Sequence, residues 1–102
     1  MNIEKRLDGT SLTVTLSGSL GSSAAPDLEA SLADLGGVEE LIIDLASVEY
    51  LSSAGLRVLL LLHKKMSAQG KMKIRNVSQG VMDIFKMAGF TKFLLIEQSV
   101  EQ

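Results

Sequence analysis

The segment from Glu40 to Leu62 restricts the fold more than any other part of this chain. Leu41-Ile42-Ile43 is a short apolar run set between acids, the mark of a strand buried on both faces. The strand is predicted to end at Asp44. A short loop follows, then a serine pair, Ser52-Ser53, and then a strongly apolar helix with Leu56, Leu59, Leu60 and His63 along one side. Val58, Leu61, Leu62 and Lys65 spread over its other sides, so the helix is expected to pack between a sheet and a neighbouring helix.

The remaining segments fit the same plan. Ile3 to Leu7 alternates weakly and predicts an edge strand, closed by the turn Asp8-Gly9-Thr10. Leu12, Val14 and Leu16 alternate with Thr13, Thr15 and Ser17, which predicts a half-buried strand and, with the first, a hairpin. Gly18 to Pro26 reads as a loop. Leu28, Leu32 and Leu35 recur at helical spacing before the stop Gly36-Gly37. The helix after the serine pair runs to about Gln69, before Gly70. Met72 and Ile74 mark the next strand, ended by Asn76. Ser78 opens a helix carrying Val81, Met82, Ile84, Phe85 and Ala88, stopped by Gly89. Phe93 to Ile96 predicts a last strand, and the polar tail from Glu97 frays or forms a short turn of helix. Met66, Met72, Met82 and Met87 read as core fillers, Phe85 and Phe90 as core anchors.

A hairpin followed by alternating helix and strand is an α/β layer arrangement. The prediction is a single domain over residues 1–102: a mixed, mostly parallel sheet with an N-terminal hairpin and packed α-helices. Function in such folds gathers beyond the carboxyl ends of the strands. That singles out residues 44–57 and the loop 18–26.

Several function classes fall away on composition. Ten basic and twelve acidic residues give a net charge of −2, no basic block exceeds Lys64-Lys65, and only four residues are aromatic. Nucleic-acid binding needs a basic stripe with stacking rings, so no nucleic-acid partner is expected. Val58 to Leu62 is far short of the ~20 apolar residues that span a bilayer, so no membrane insertion is expected. The N-terminal residues resemble no signal peptide, which points to the cytoplasm. There is no cysteine, no Gly-x-Gly-x-x-Gly and no phosphate-loop lysine motif, so no cofactor and no metal is expected. His63, the only histidine, lies ten residues beyond Ser53, about 15 Å along a continuous helix. A Ser53–His63 dyad is therefore out of reach, and the chain is expected not to be an enzyme.

The serine pair carries two compatible readings. Serine is a preferred N-cap, because its hydroxyl accepts a bond from an orphan backbone N–H. A serine at a helix start is also open to a kinase, and a phosphate there adds about −1.5 to −2 charges. The positive helix end tolerates such a charge. A partner packed on the same surface does not, since an unpaired charge is costly to desolvate.

The block DLASVEYLSSAGLRVLL, with NVSQGVMDIFKMAGFTKFLLI downstream, resembles the anti-sigma factor antagonists, bacterial members of the STAS domain family. The likeness runs over essentially the whole chain. It implies a phosphoprotein of signalling and transcription regulation that works by partner switching. The unphosphorylated domain binds an anti-sigma factor that is also a serine kinase, phosphorylation ends the binding, and a metal-dependent serine phosphatase restores it. The family's acceptor lies two residues before the motif glycine, here Gly55, which puts it at Ser53. The family often has an aspartate just before the acceptor, and Ser52 in that place stands as a second candidate. The first loop, which often reads Gly-Glu-Leu-Asp in the family, here reads Gly18-Ser19-Leu20-Gly21. The expected docking surface joins Ser52, Ser53, Gly55, Leu56 and Arg57 to Gly21, Ser22 and Ser23 of the loop that runs on to Ala25. The alternative is a STAS subunit of another assembly: stressosome-like, secretion-regulating or lipid-transporting.

Overall fold

A computed structural model of the chain describes residues 1–99. Strands β1 (Asn2–Asp8), β2 (Ser11–Ser17), β3 (Glu40–Ser47), β4 (Lys71–Val77) and β5 (Leu95–Gln98) form one sheet in the order β1-β2-β3-β4-β5. Helices α1 (Ala25–Ser31), α2 (Ser53–Ser67) and α3 (Gln79–Met87) connect the successive parallel strands. The predicted hairpin is present. β1 and β2 pair antiparallel up to Asp8↔Ser11, and Gly9, at φ +62°, takes the left-handed turn position that favours glycine. Every later pairing is parallel.

Consecutive strands are neighbours and parallel crossovers are right-handed, so all three helices fall on the same face of the sheet. The period-2 alternation then divides the side chains. Leu12–Leu41–Met72 and Val14–Ile43–Ile74 form two rows across β2, β3 and β4, all buried beneath the helices. Thr13–Ile42–Lys73 and Thr15–Asp44–Arg75 form the rows of the other face, which no helix covers. Ile42 and Asp44 are buried even so, flanked by side chains of the adjacent strands. α2 buries Val58, Leu59, Leu62 and Met66, while Leu56 and Leu60 are half-buried.

Several predicted boundaries are corrected. β3 does not end at Asp44 but continues to Ser47. Its acid is accommodated by distant partners: Arg75 Nε at 3.3 Å and Asn76 Nδ2 at 2.9 Å donate to Oδ2, and the amide of Ala46 donates to Oδ1 at 3.0 Å. β4 likewise runs past Asn76 to Val77. Asn76 adopts φ +58° where the β4–β5 register shifts, a bulge rather than an end. Ala25 and Pro26, predicted as loop, open α1, where a proline in the first turn forfeits no helical hydrogen bond. That helix stops at Ser31, and Leu32 and Leu35 reach the core from the following turns.

α2 ends at Ser67 rather than Gln69, whose Nε2 instead donates to the carbonyls of Leu35 and Val38. After Gly89 a 3₁₀ turn, Phe90–Lys92, delays the last strand, which begins at Leu95 and not Phe93. Glu97 and Gln98, predicted as tail, belong to β5, and the end of that tail, 100–102, lies outside the described residues. Met66, Met72 and Met82 are core residues as expected, but Met87 is 89% exposed at the end of α3 and fills nothing.

Candidate functional site

The carboxyl end of β3 and the start of α2 are joined to the loop after β2 by a chain of backbone bonds. The amide of Gly18 donates to Ser47 O (3.1 Å), that of Leu20 to Tyr50 O (3.1 Å), and that of Ser52 to Leu20 O (3.0 Å). Leu20 and Leu51 pair as an isolated parallel bridge, and both are buried. The two loops therefore extend the β2–β3 pairing beyond the sheet and form one continuous rim. An apolar residue alone in a small polar loop, Leu20 in Gly18–Ala24, was the sequence signal for this anchor.

Gly55 fixes how closely α2 approaches that rim. A Cβ at this position would lie 2.6 Å from Leu20 O and 2.8 Å from Leu20 Cγ, well inside van der Waals contact. Gly55 is buried, so it acts by permitting the approach and offers no side chain to a partner.

The two serines differ in their bonding. Ser52 is the N-cap of α2, extended at φ −88° and ψ 173°. Its Oγ accepts from the Gly55 amide (3.2 Å) and donates to Leu20 O (3.3 Å). Ser53 is the first helical residue. It is exposed, and its hydroxyl makes no hydrogen bond among the described residues. The first turn of α2 holds no acid, so the positive end of the helix is not neutralised locally.

Arg57 is exposed one turn further on, and it makes no salt bridge among the described residues. Ser22 and Ser23 are exposed on the facing loop, Gly21 and Leu56 are half-buried, and Ala24 and Ala25 are buried. Tyr50, the only tyrosine, is 53% exposed beside the serine pair. It was not among the predicted site residues, although a lone tyrosine in a polar loop is a recognisable sign of a contact surface.

The chemistry open to this arrangement is narrow. α2 is continuous from Ser53 to Ser67, which keeps His63 about 15 Å from Ser53 along the helix axis. The Ser53 hydroxyl thus has no imidazole to activate it, and it can serve as the recipient of a group brought by another protein. Among the described residues no cluster of histidine and acidic side chains could hold a metal ion, and no helix is long and apolar enough to cross a membrane.

Residues 3–97 match the family model described as "Mlab, STAS domain". BtrV of Bordetella bronchiseptica, a protein designated an anti-sigma factor antagonist, is 34% identical over 99 residues, which span 94% of this chain and 84% of that protein. Among solved structures, the anti-sigma factor antagonist SpoIIAA in its unphosphorylated form matches with a TM-score of 0.82 at 18% identity, over 93% of this chain and 87% of that one. The phosphorylated form of the Bacillus cell fate determinant SpoIIAA gives 0.74 at 17% identity, over 93% and 90%. At these identities the two structures speak for the fold.

Proposed function

The chain belongs to the STAS domain family, and from that premise we propose that it is an anti-sigma factor antagonist switched by phosphorylation of Ser53. Unmodified, it binds an anti-sigma factor that is also a serine kinase. Phosphorylated by that kinase, it lets go, and a metal-dependent serine phosphatase resets it. The domain acts in the cytoplasm as a substrate and binding module and not as an enzyme.

The observation that carries this reading is the asymmetry of the serine pair. Ser52 has its hydroxyl engaged on both sides, whereas Ser53 offers a free, exposed one at the open end of α2. That favours Ser53 as the acceptor over Ser52. It also accounts for the departure from the family's usual aspartate, since aspartate and serine cap helices about equally well. The docking surface is the rim made of Ser53, Arg57 and Leu56 with Ser22 and Ser23, to which Tyr50 is added as an aromatic anchor.

Placing a phosphate within that contact requires desolvating a doubly charged group. Ser53→Asp is expected to weaken binding of the anti-sigma factor by at least about tenfold, and Ser53→Ala to bind normally yet resist release by the kinase. The direct test is to crosslink the protein in its native cells and map phosphosites and partners by mass spectrometry. Phosphate on Ser53, with a kinase-fold partner attached only to the unmodified form, is the expected result. An unmodified Ser53 in every growth state, with a large complex attached, would overturn it in favour of a STAS subunit of another assembly.

A further inference from the structure

Lysine, arginine and histidine are absent from residues 7–56, and Arg57 ends that interval. The elements around Ser53 all come from it: the loop after β2, helix α1, and the loop from β3 to α2. The charges they carry are acidic. Asp27 and Glu29 are exposed on α1, which packs on α2, and Glu49 is exposed in the loop just before the serine pair. A phosphate on Ser53 would enter a neighbourhood of acids, with Arg57 as the nearest basic residue along the chain.

Arg57 is placed to meet it. α2 is regular from Ser53 onward, so the two residues stand at i and i+4, with Cβ atoms about 5–6 Å apart on one face. Long helical side chains lean toward the N-terminus, over the preceding turn, which carries the Arg57 guanidinium toward Ser53. Both side chains are exposed, and Arg57 has no salt bridge among the described residues that would first have to break. Negative before positive is also the favourable order for such a pair in a helix.

Other donors are committed or distant. The amides of Gly55 and Leu56 already bond Ser52 Oγ (3.2 Å) and Ser52 O (3.0 Å). Arg75 is held by Asp44 at 3.3 Å. Lys64 and Lys65 lie about 16 Å or more from Ser53 along the helix axis.

We propose that Arg57 captures the phosphate of phosphorylated Ser53 within α2, the guanidinium donating two parallel N–H bonds to the phosphate oxygens. This rests on Ser53 being the acceptor, as proposed above. Transfer from a nucleoside triphosphate forms the Oγ–P bond, breaks the terminal P–O bond to leave the diphosphate, and releases the hydroxyl proton. Phosphorylation then alters the docking rim twice: it adds charge, and it withdraws the cation that the unmodified surface offers to a partner.

The test uses the full-length chain with phosphoserine encoded at position 53, as wild type, Arg57→Gln and Arg57→Lys, and titrates the phosphate by ³¹P NMR. A neighbouring cation favours the dianion, so it lowers the second pKa from its ordinary value of about 6. The wild-type midpoint is expected about 0.5 below that of Arg57→Gln, roughly a threefold difference in proton affinity. Arg57→Lys should recover part of the difference, since it keeps the charge and loses the planar fork. The Arg57 Nε–H resonance should move with the same midpoint as the phosphate. Asp27, Glu29, Glu49 and Tyr50 are common to all three proteins, so the differences report on Arg57 alone. Equal midpoints in wild type and Arg57→Gln, or an Nε–H signal indifferent to the titration, would overturn the pair. No partner is present in this measurement, so equal midpoints would leave the switch standing. A Ser53 never phosphorylated in cells would count against the switch and not against the pair.

Discussion

Ser52 and Ser53 are adjacent and chemically identical, yet their removal should have unequal consequences for stability. Ser52→Ala deletes an N-cap, which typically costs about 1 kcal/mol. It also deletes the 3.3 Å bond from Oγ to Leu20 O. That second loss is small, because Leu20 O still receives the Ser52 amide at 3.0 Å and is not orphaned. Together the two amount to about 1–1.5 kcal/mol. For a domain of this size, that corresponds to a fall in Tm of about 5–10 °C. Ser53→Ala removes an exposed hydroxyl with no bond among the described residues and substitutes a better helix former, so its effect should stay within about 0.5 kcal/mol. Urea unfolding followed by far-UV circular dichroism measures both: the midpoint should shift for Ser52→Ala at unchanged m-value, and hold for Ser53→Ala. Ser52→Asp, which can still accept from the Gly55 amide, should recover most of the loss. A Ser53→Ala variant as unstable as Ser52→Ala, or a Ser52→Ala variant as stable as the wild type, would refute the division of labour between the two hydroxyls.

Other positions give equally direct tests. Gly55→Ala should destabilise by about 1–3 kcal/mol in the same unfolding assay, despite alanine's advantage in helices, because the new methyl meets the Leu20 carbonyl. Asp44→Ala should lose about 2–3 kcal/mol, since it strips partners from the Ala46 amide and from Asn76 and Arg75 together. Chemical denaturation of Asp44→Ala beside Arg75→Ala would show the acid as the larger contributor. Met87→Lys should leave the unfolding midpoint within about 0.5 kcal/mol of wild type, as its exposure implies.

Much of this architecture could be read from spacing alone, and the failures share a physical cause. The alternation of Leu12, Val14 and Leu16 and the serine opening α3 are local signals, and local geometry decided them: Ser78 caps α3, accepting from the Val81 amide at 3.3 Å. The end of β3 differs from the expectation because an aspartate discourages a strand unless something distant satisfies it. Its side-chain partners Arg75 and Asn76 lie 31 and 32 residues away. The 3₁₀ turn at Phe90–Lys92 is hidden in the sequence because Phe93 and Leu94 read as strand residues. Phe93 instead sets its ring beside those of Phe90 and His63, and Leu94 is buried in the core. The serine pair reads as a helix start, but which hydroxyl caps it depends on backbone angles that two identical residues cannot announce.

The strictly sequential strand order has a consequence for how the chain assembles. After β1, no strand must wait for a later segment before it finds a neighbour, since each one pairs with the strand made just before it. The hairpin can close on a loop of two residues, and each following unit adds one helix and one strand to an existing edge. Such growth suits vectorial synthesis, in which N-terminal segments emerge and fold first. It also means the sheet should come apart from its youngest side. β5, four residues long and hydrogen-bonded to β4 alone, is the piece whose local opening requires the least free energy, and its amides should exchange fastest of any strand paired to β4.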